Sequence, residues 1–396
     1  MPSSIAFLCI GGAHQVYHIA PVAAAMAIDH PATEVTVLAL DARSLDLARQ
    51  AATAMGATRL EFALLEPSTL GGLTARLTGN RSAVKVPTLF RNRKRLDSFD
   101  AIVVSECTST IVRRLGVRRP RLICIPHGAG DRAVSFEPRF RRFDRVLVAG
   151  AKTAERMIAS GVSSERVAIV GYPKAELVRR MTGQRLSLFD NGRPTVLYNP
   201  HFRRSLSSLD TARAVTEAFA AQDRFNLILA PHIRAFENAD ADELAAWSGL
   251  VRPGSIHVDL GSDRLVDMSY VMAADIYLGD VSSQVYEFLL APRPCVFLDA
   301  HGVKWQGNPD YDFWRLGEVV TPGNVMAAVA RAGALHENYL ALQHEAIEAT
   351  FGTTTAAPER AANDIMAYIA AVHEGAGNEA AAGGFAVPAK AVSTPG

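Results

Sequence analysis

Short apolar runs recur along the chain and alternate with helix-length segments. Runs of this length without strict alternation predict parallel β-strands that are buried on both faces. Repeated strand–helix units of this kind predict doubly wound parallel sheets. The runs of the first half are Ile5–Ile10, Val35–Leu40, Arg59–Leu64, Ala101–Ser105, Leu122–Ile125, Arg145–Ala149 and Val167–Gly171. Those of the second half are Thr195–Asn199, Asn226–Ala230, Ser255–Val258, Asp275–Gly279 and Pro294–Leu298.

The two series of runs are separated by a stretch rich in turn-forming residues, which includes Gly183, Asn191-Gly192 and Pro194. A chain of 396 residues also suits two domains better than one. We therefore predict an α/β protein with two Rossmann-like domains, a helical C-terminal segment and a disordered Ala/Gly/Pro/Ser-rich tail. The predicted ranges are 1–181 for the first domain, 182–194 for a linker, 195–335 for the second domain, 336–373 for the helical segment and 374–396 for the tail.

The cysteine content favours a reducing, cytoplasmic setting. The four cysteines are far apart in the sequence, and all but Cys107 lie within apolar runs. That pattern is typical of buried free thiols and not of a disulfide framework or a zinc site. No apolar run has the length of a membrane span, and Ile5–Ile10 lacks the basic flank and cleavage site of a signal peptide.

Charge is distributed unevenly along the chain. The net charge is only +1, but the interval from Arg76 to Arg145 holds 17 Lys or Arg against 6 Asp or Glu. The functional interpretation is attraction to a polyanionic acceptor or to an anionic membrane surface, and the alternative is a set of solvated faces. No aromatic-rich RNA-binding motif or DNA-reading helix pattern is present, so nucleic acid is not predicted as a partner. The two densest clusters are Arg91, Arg93, Lys94, Arg95, and Arg113, Arg114, Arg118, Arg119, Arg121.

Polar and glycine-rich segments follow five of the predicted strands. Open parallel sheets bind ligands beyond the carboxyl ends of their strands, and two such edges facing each other would form a cleft. The segments are Gly11-Gly12-Ala13-His14, Pro126-His127-Gly128-Ala129-Gly130-Asp131, Gly171-Tyr172-Pro173-Lys174, Pro231-His232 and Asp280-Val281-Ser282-Ser283.

The segment that begins at Asp280 predicts a phosphate site. Ser282 or Ser283 can cap the helix that follows, and the free N–H groups of a first helical turn bind phosphate. Glu287, one turn further, could accept a hydrogen bond from a ribose hydroxyl. The alternatives are plain helix capping and a surface glutamate.

Two histidines follow predicted strands and a proline. His127 is flanked by Gly128 and suits a general base, since the ordinary histidine pKa is near neutrality, and Asp131 could orient it. His232, as an imidazolium, could offset the charge of a leaving phosphate. A structural role in a turn is the alternative for both.

The loop at Gly11-Gly12, with His14 and His18, could approach an acceptor. The complete dinucleotide-binding fingerprint is absent, and so are the Walker A, Gly-x-Ser-x-Gly and His-x-x-Glu-His motifs. Asp310-Tyr311-Asp312 follows no predicted strand. No metal site and no cofactor are predicted.

The order of these motifs over about residues 100–300 resembles that of the CDP-glycerol glycerophosphotransferases, the teichoic-acid polymerases and primases with a GT-B fold. The chain departs from the family pattern at Val281, Ala230 and Ala129-Gly130. The motifs that carry the resemblance are His127-Gly128, Phe143-Asp144, Val146–Gly150, Gly171-Tyr172-Pro173-Lys174, Tyr198-Asn199-Pro200-His201-Phe202-Arg203, Pro231-His232 with Arg234, Ala274-Asp275, and Asp280-Val281-Ser282-Ser283 with Glu287-Phe288.

The resemblance implies metal-independent transfer of glycerol phosphate from CDP-glycerol to an acceptor hydroxyl. It implies that His127 is the base, that His232 assists at the diphosphate and that Asp280, Ser282 and Ser283 hold donor phosphates. The other residues that it places near the donor are Gly171, Tyr172, Pro173, Lys174, Arg203, Arg234 and Glu287. The predicted partners are a nucleotide donor, a polysaccharide or lipid-linked acceptor, and an anionic membrane contacted peripherally.

Three alternatives stay open. The first is a glycosyltransferase that uses a nucleotide sugar. The second is a non-hydrolysing sugar-nucleotide 2-epimerase, which needs acid and base carboxylates and no acceptor. The third is a nucleotide-binding protein without catalytic activity.

Overall fold

The computed structural model describes residues 3–68, 84–128, 130–131, 138–181 and 186–374. Within these ranges the chain forms two parallel β-sheets with flanking helices, so the predicted α/β fold with two doubly wound sheets is confirmed. Each strand predicted from the sequence is present, with its ends displaced by two residues at most. A further strand, Glu318–Val320, was not predicted because it offers only two consecutive apolar residues.

The first sheet has seven strands in the order β3-β2-β1-β4-β5-β6-β7. All its neighbouring strands pair in parallel. Strands β1, β4, β5 and β6 are almost entirely buried, as expected for a sheet covered by helices on both faces. The strands are β1 Ser4–Cys9, β2 Glu34–Ala39, β3 Glu61–Leu64, β4 Ala101–Val104, β5 Arg121–Cys124, β6 Arg145–Val148 and β7 Val167–Ile169.

The second sheet has six strands in the order β10-β9-β8-β11-β12-β13, again parallel throughout. In both sheets the chain starts in the middle, builds outward to one edge, and then returns to build the other half. This is the Rossmann strand order. The strands are β8 Thr195–Asn199, β9 Asn226–Leu229, β10 Ile256–Val258, β11 Ile276–Gly279, β12 Cys295–Leu298 and β13 Glu318–Val320.

Helices occupy the connections between strands. The segment predicted to be helical, 336–373, consists of two successive helices, because Gly352 and the Thr353–Thr355 turn interrupt it. The α-helices of the described ranges are α1 Ala13–Asp29, α2 Ala42–Met55, α3 Lys85–Arg91, α4 Arg93–Asp97, α5 Ile111–Arg114, α6 Ala151–Ala159, α7 Pro173–Met181, α8 Ala212–Ala220, α9 Ala241–Ser248, α10 Ser269–Ala273, α11 Gln284–Phe288, α12 Val325–Leu335, α13 Glu337–Phe351 and α14 Ala357–His373.

The described residues divide into two compact units. The first comprises 3–68, 84–127, 138–177 and 351–374, and the second comprises 128, 130–131, 178–181 and 186–350. Each unit contains one sheet. Helix α14 belongs to the first unit, where the buried Arg145 side chain donates to both carboxylate oxygens of Asp364 at 2.9 and 2.6 Å.

The four cysteines are free thiols, and Cys9, Cys124 and Cys295 are buried, as predicted. Burial raises the pKa of the Cys9 thiol to about 12, so it stays protonated near neutral pH. Among the described helices, none is both long and apolar enough to cross a membrane. The predicted tail from residue 375 onward and residues 182–185 of the predicted linker lie outside the described residues.

Candidate functional site

The strand order of each sheet predicts where a ligand would bind. In a doubly wound sheet, the crevice opens beyond the carboxyl ends of the two central strands, where the chain reverses its direction of building. These strands are β1 and β4 in the first unit, and β8 and β11 in the second. The segments predicted to be functional at Gly11-Gly12 and at Asp280–Ser283 directly follow two of these four strands.

In the first unit, His127 is an exposed side chain that is held in a fixed orientation. Its Nδ1 lies 2.7 Å from the backbone oxygen of Ser105, which follows β4. The backbone N–H of His127 donates to the same oxygen at 3.1 Å. A carbonyl oxygen can only accept, so Nδ1 carries a proton. In the neutral imidazole Nε2 is therefore the unprotonated nitrogen, which is the state that a general base requires.

Ser105 is itself fixed by a buried amide. Its hydroxyl donates to Oε1 of Gln15 at 2.9 Å, and Gln15 is only 4% exposed. Gln15 lies in the first turn of α1, which begins after Gly12 in the left-handed region at φ 102°. The sequence predicted Asp131 as the group that orients His127, whereas the structure has the Ser105 carbonyl oxygen at Nδ1.

Two more histidines of α1 surround His127. The ring centroids of His14 and His18 lie 5.4 and 6.2 Å from that of His127, and His18 also packs against Tyr172 at 5.5 Å. Burial lowers the pKa of His18 well below its usual 6.5, and the charges of Lys174, His127 and His14 lower it further. His18 is therefore neutral near pH 7 and adds no charge beside His127.

A partly buried ion pair lies just after β4 in the same unit. Glu106 accepts hydrogen bonds from the Lys85 ammonium and from Gln15, the latter at 3.5 Å. Burial acts to raise the pKa of the Glu106 carboxyl, but Lys85 and the hydrogen bonds outweigh it, so the pKa is lowered. Glu106 is therefore an ionised carboxylate that is already neutralised by Lys85.

The predicted donor-binding segment at Gly171–Lys174 begins α7 in the first unit. Tyr172 and Lys174 are 2% and 4% exposed, and the Tyr172 ring packs on Phe351 with centroids 4.5 Å apart. These two side chains therefore form part of the packed interior of that unit, beside His18.

In the second unit, Asp280 joins the two central strands across the switch point. Its carboxylate accepts from the backbone N–H of His201 at 3.0 and 3.1 Å, and from Val281 N–H at 2.5 Å. It also accepts from the N–H and the hydroxyl of Ser208 at 2.6 and 2.9 Å. Burial raises the Asp280 pKa above its ordinary value, against the opposing effect of these bonds.

Asp280 was expected to hold donor phosphates, and the structure gives it another function. Both carboxylate oxygens are occupied by groups of the fold, and the side chain is 2% exposed. A carboxylate would also repel a phosphate. Asp280 instead fixes the loop after β8, which carries His201, beside the loop after β11, which carries the two serines.

Ser282 and Ser283 differ in how accessible their hydroxyls are to a ligand. Ser282 is 2% exposed, and its hydroxyl accepts from Gln284 N–H at 3.4 Å. Ser283 is half-buried and stands at the N-cap of α11 without a side-chain capping bond. Helix α11 has only five residues, so a long helix dipole does not act there. Glu287, near its end, is 6% exposed.

The loop after β5 continues into the second unit from Gly128. Gly128 has φ +76°, and a Cβ added there would lie 3.4 Å from the Ser283 hydroxyl. Asp131 is 1% exposed and accepts a hydrogen bond from the Tyr286 hydroxyl of α11. Asp131 thus fastens this loop to the helix that Ser283 begins.

His201 and His232 form a pair whose ring centroids are 5.8 Å apart. Nδ1 of His201 accepts from Arg203 N–H at 3.1 Å, and Nδ1 of His232 accepts from Arg234 N–H at 3.2 Å. An N–H group can only donate, so each Nδ1 is unprotonated and each Nε2 carries the proton. His232 was expected to act as an imidazolium, but in this geometry it is a neutral Nε2–H donor.

Exposed cations surround the same histidine pair. The ring of Phe202 lies 4.4 Å from His201 and 4.8 Å from His232, measured between centroids. The guanidinium carbons of Arg203 and Arg234 lie 5.8 and 4.5 Å from the Phe202 centroid. Both arginines are exposed, so a positive field accompanies the two Nε2–H donors.

Several residues of these two sites were not predicted from the sequence. Gln15, Lys85 and Glu106 have no motif around them, and Ser105 acts through its backbone oxygen, which any residue would supply. His201 was noted only as part of the resemblance, although the repeated Pro-His-x-Arg pattern at Pro200–Arg203 and Pro231–Arg234 was a usable signal.

Comparison with known proteins extends the structural result. No family model matches the chain, and no curated protein matches its sequence. Among solved structures, the wall teichoic acid polymerase TagF with CDPG superposes with a TM-score of 0.63 at 14% identity, over 94% of this chain and 90% of that one. MnaA of S. aureus with UDP gives a TM-score of 0.63 at 13% identity, over 93% and 97%.

The UDP-GlcNAc 2-epimerase of Neisseria meningitidis bound to UDP-GlcNAc gives a TM-score of 0.60 at 12% identity, over 92% of this chain and 99% of that one. Identities this low establish a shared fold only. With two Rossmann-ordered parallel sheets and these neighbours, the chain has the GT-B fold that the sequence predicted.

Proposed function

We propose that the chain is a transferase that moves glycerol phosphate, or a sugar, from a nucleotide diphosphate donor such as CDP-glycerol to a hydroxyl of a polysaccharide or lipid-linked acceptor. One observation carries the proposal. The hydrogen bonds at Nδ1 leave Nε2 of the neutral His127 ring unprotonated, whereas they leave Nε2 of the neutral His201 and His232 rings protonated. Group transfer from a diphosphate needs both types of group: an acceptor of the incoming hydroxyl's proton, and donors for the departing phosphate.

The proposed reaction starts at the acceptor. Nε2 of His127 takes the proton of the acceptor hydroxyl as that oxygen bonds to the phosphorus that carries glycerol. The bond between this phosphorus and the bridging oxygen breaks, and the nucleotide monophosphate departs with the electron pair. For a sugar donor the attacked atom is the anomeric carbon, and a nucleotide diphosphate departs.

The second unit holds the donor in this proposal. The Nε2–H groups of His201 and His232 donate to phosphate oxygens, where preorganised donors stabilise the charge that develops on the leaving group. Arg203 and Arg234 add positive charge without being buried, and the Ser283 hydroxyl is a further donor. Glu287 stays a proposed donor-binding residue, and Gly11, Gly12 and His14 stay proposed acceptor-side residues. The Gly171–Lys174 segment, which the sequence also assigned to the donor, belongs to the first unit, where Tyr172 and Lys174 are buried, and this proposal does not use it.

The epimerase alternative has the same fold in its favour, since solved 2-epimerases superpose on this chain. The carboxylates that epimerisation requires support it less well. Glu106, at the end of β4, is ion-paired with Lys85, and Asp131 accepts from Tyr286. Both carboxylates have structural partners, whereas the tautomers of the three histidines match the proton acceptor and the donors that transfer requires. The two reactions also differ in products, because epimerisation releases no nucleotide.

A nucleotide-binding panel tests the donor half of the proposal. The unfolding temperature is measured with CMP, CDP, UDP, GDP and CDP-glycerol. A ligand that binds only the native state at a hundredfold excess over its Kd stabilises it by about 2.7 kcal/mol. We expect stabilisation by the cognate nucleotide, reduced in the His232→Asn variant. No stabilisation by any nucleotide would exclude the proposal.

A further inference from the structure

A pocket of about 320 Å³ in the first unit is lined by three arginines and two threonines. It lies beside the 3-10 helix Cys107–Thr110, which follows β4, and beside a second one, Pro138–Arg142. The volume is at the lower end of small-ligand sites. Its described lining contains no carboxylate; it consists of Thr108, Thr110, Ile111, Arg114, Arg139 and Arg142.

Two of the three arginines of this pocket, Arg114 and Arg142, differ from most others of the basic region. Elsewhere in that region the guanidiniums are matched by carboxylates, in the pairs Arg91–Glu66, Arg95–Glu61, Arg113–Asp144, Arg119–Asp100 and Arg145–Asp364. Arg114 and Arg142 have no hydrogen bond or ion pair with any residue in the part of the chain that the structure describes. Both side chains are exposed, so little desolvation opposes an incoming anion.

Thr108 is held at the pocket by the Lys85–Glu106 pair. Its Oγ1 accepts from the Lys85 ammonium at 3.2 Å, and its side chain also hydrogen-bonds the Glu106 carboxylate. Thr110 is 5% exposed, and its hydroxyl donates to the Cys107 carbonyl oxygen at 3.0 Å, which fixes the turn that presents Thr108. The arginines of the pocket supply the charged recognition, because planar guanidinium groups match the oxygens of a phosphoryl group.

We infer that this pocket, lined by Thr108, Arg114, Arg139 and Arg142, binds a phosphoryl group of the acceptor substrate. The inference rests on the proposed function in that it assigns the phosphoryl group to the acceptor, while the donor is held in the second unit. The sequence predicted that the whole basic region attracts an anionic acceptor or membrane, and the inference limits that role to this pocket. The cluster at 91–95 is excluded, because Arg91 and Arg95 are paired with carboxylates and Arg93 stacks on Phe90 at 4.1 Å.

Phosphate binding is tested by calorimetry with inorganic phosphate and with glycerol 3-phosphate, at fixed ionic strength. The double variant Arg114→Gln/Arg142→Gln is expected to lose affinity for both probes by about tenfold or more, because hydrogen bonds to charged groups are removed. Arg93→Gln removes a charge of the same region outside the pocket and should bind as the parent does.

A second arm distinguishes the source of the phosphoryl group. Binding to phosphatidylcholine vesicles that contain phosphatidic acid, lost in the double variant, identifies a lipid headgroup. Binding of glycerol 3-phosphate alone identifies a soluble or polymeric phosphate. The inference is overturned if the parent binds none of these probes, or if the double variant and Arg93→Gln lose affinity equally.

Nucleotide binding separates this inference from the proposed function. The pocket variants should bind the cognate nucleotide as the parent does, because no pocket residue belongs to the second unit. A parent that binds nucleotide and no phosphate probe contradicts the pocket alone. A parent that binds phosphate through Arg114 and Arg142 but no nucleotide contradicts the proposed function alone.

Discussion

Nδ1 of His127 lies 2.7 Å from the backbone oxygen of Ser105, and this contact determines which ring nitrogen can act as a base. A backbone carbonyl cannot be protonated near neutral pH and does not change its hydrogen-bonding role. The proton on Nδ1 is therefore fixed, and Nε2 is left to accept. His201 and His232 have the opposite tautomer because backbone N–H groups occupy their Nδ1 atoms.

The first prediction concerns His127→Asn. The asparagine side-chain amide can still donate to the Ser105 oxygen, so the loop should keep its conformation, but no basic nitrogen remains. We expect kcat to fall by at least about a hundredfold, the lower end of a general base's contribution, with nucleotide affinity unchanged. Single-turnover nucleotide release and calorimetry measure the two quantities. Parental kcat in the folded variant would remove His127 from the mechanism.

His232→Asn is the matched change in the second unit. The Asn carbonyl oxygen can accept the Arg234 N–H as Nδ1 does, which preserves the turn, while the Nε2–H donor is lost. We expect kcat to fall by roughly a hundredfold, as for the removal of one donor to a developing negative charge. His232→Gln serves as a rescue variant, since its amide N–H reaches further. Equal rates for parent and His232→Asn would contradict the proposed role.

The two serines provide a third prediction, because only Ser283 is available to a ligand. Ser283→Ala should weaken donor binding by about tenfold, the loss of one hydrogen bond to a charged group. Ser282→Ala should leave donor affinity near the parental value and lower the free energy of unfolding by about 1 kcal/mol, since its hydroxyl serves the first turn of α11. Donor titrations and denaturant unfolding separate the two. Equal loss of donor affinity in both variants would show that the burial of Ser282 does not keep it from the ligand.

A fourth prediction tests how the C-terminal helix is held in the first unit. Asp364→Asn leaves the Arg145 guanidinium, whose side chain is 6% exposed, without its carboxylate. Breaking a buried pair in this way costs about 3–5 kcal/mol of the free energy of unfolding. Asp46→Asn is the control, because the Asp46–Arg49 pair is exposed. Unfolding in guanidinium chloride measures both, and equal stability of the two variants would contradict the assignment.

The Glu106–Lys85 pair gives a prediction for pH. The pKa of Glu106 is lower in the folded state than its ordinary 4.5, so the ionised form stabilises the fold. This stabilisation is fully present above pH 4.5 and is lost as the pH falls through the lowered folded-state pKa. The parent should therefore be more stable than Glu106→Gln near neutral pH, with the difference shrinking in acid. A difference that grows in acid would show that burial, and not Lys85, controls this carboxyl.

The sequence was sufficient for most of the fold. Apolar runs such as Leu122–Ile125 and Thr195–Asn199 indicate buried parallel strands, since they are too short for helices and place apolar residues on both faces of a sheet. The strand Glu318–Val320 was missed because three residues are too few to show a hydrophobic pattern. The strand order follows from the connections, which place consecutive strands beside each other and reverse once in each sheet.

The site was predictable only in part. His127 and His232 follow strands, so their position at the carboxyl edges could be expected from the sequence. Their protonation states could not, because Ser105 and Arg234 act through backbone atoms that leave no signal in residue identity. Asp280 was misinterpreted for a related reason: a carboxylate beside two serines looks like part of a ligand site, and its five hydrogen bonds within the fold appear only in three dimensions.

The central claim is group transfer from a nucleotide diphosphate donor, and one measurement tests it most directly. The parent and His127→Asn are incubated with CDP-glycerol, and in parallel with UDP-GlcNAc, in the presence of polysaccharide and lipid-linked acceptors. Phosphorus NMR then follows the diphosphate signals. The account predicts acceptor-dependent appearance of CMP from CDP-glycerol, or of UDP from the nucleotide sugar, in the parent and not in the variant. An isomerised donor with an intact diphosphate would contradict transfer and establish the epimerase alternative. An unchanged donor that nevertheless binds the parent would show a nucleotide-binding protein without catalytic activity.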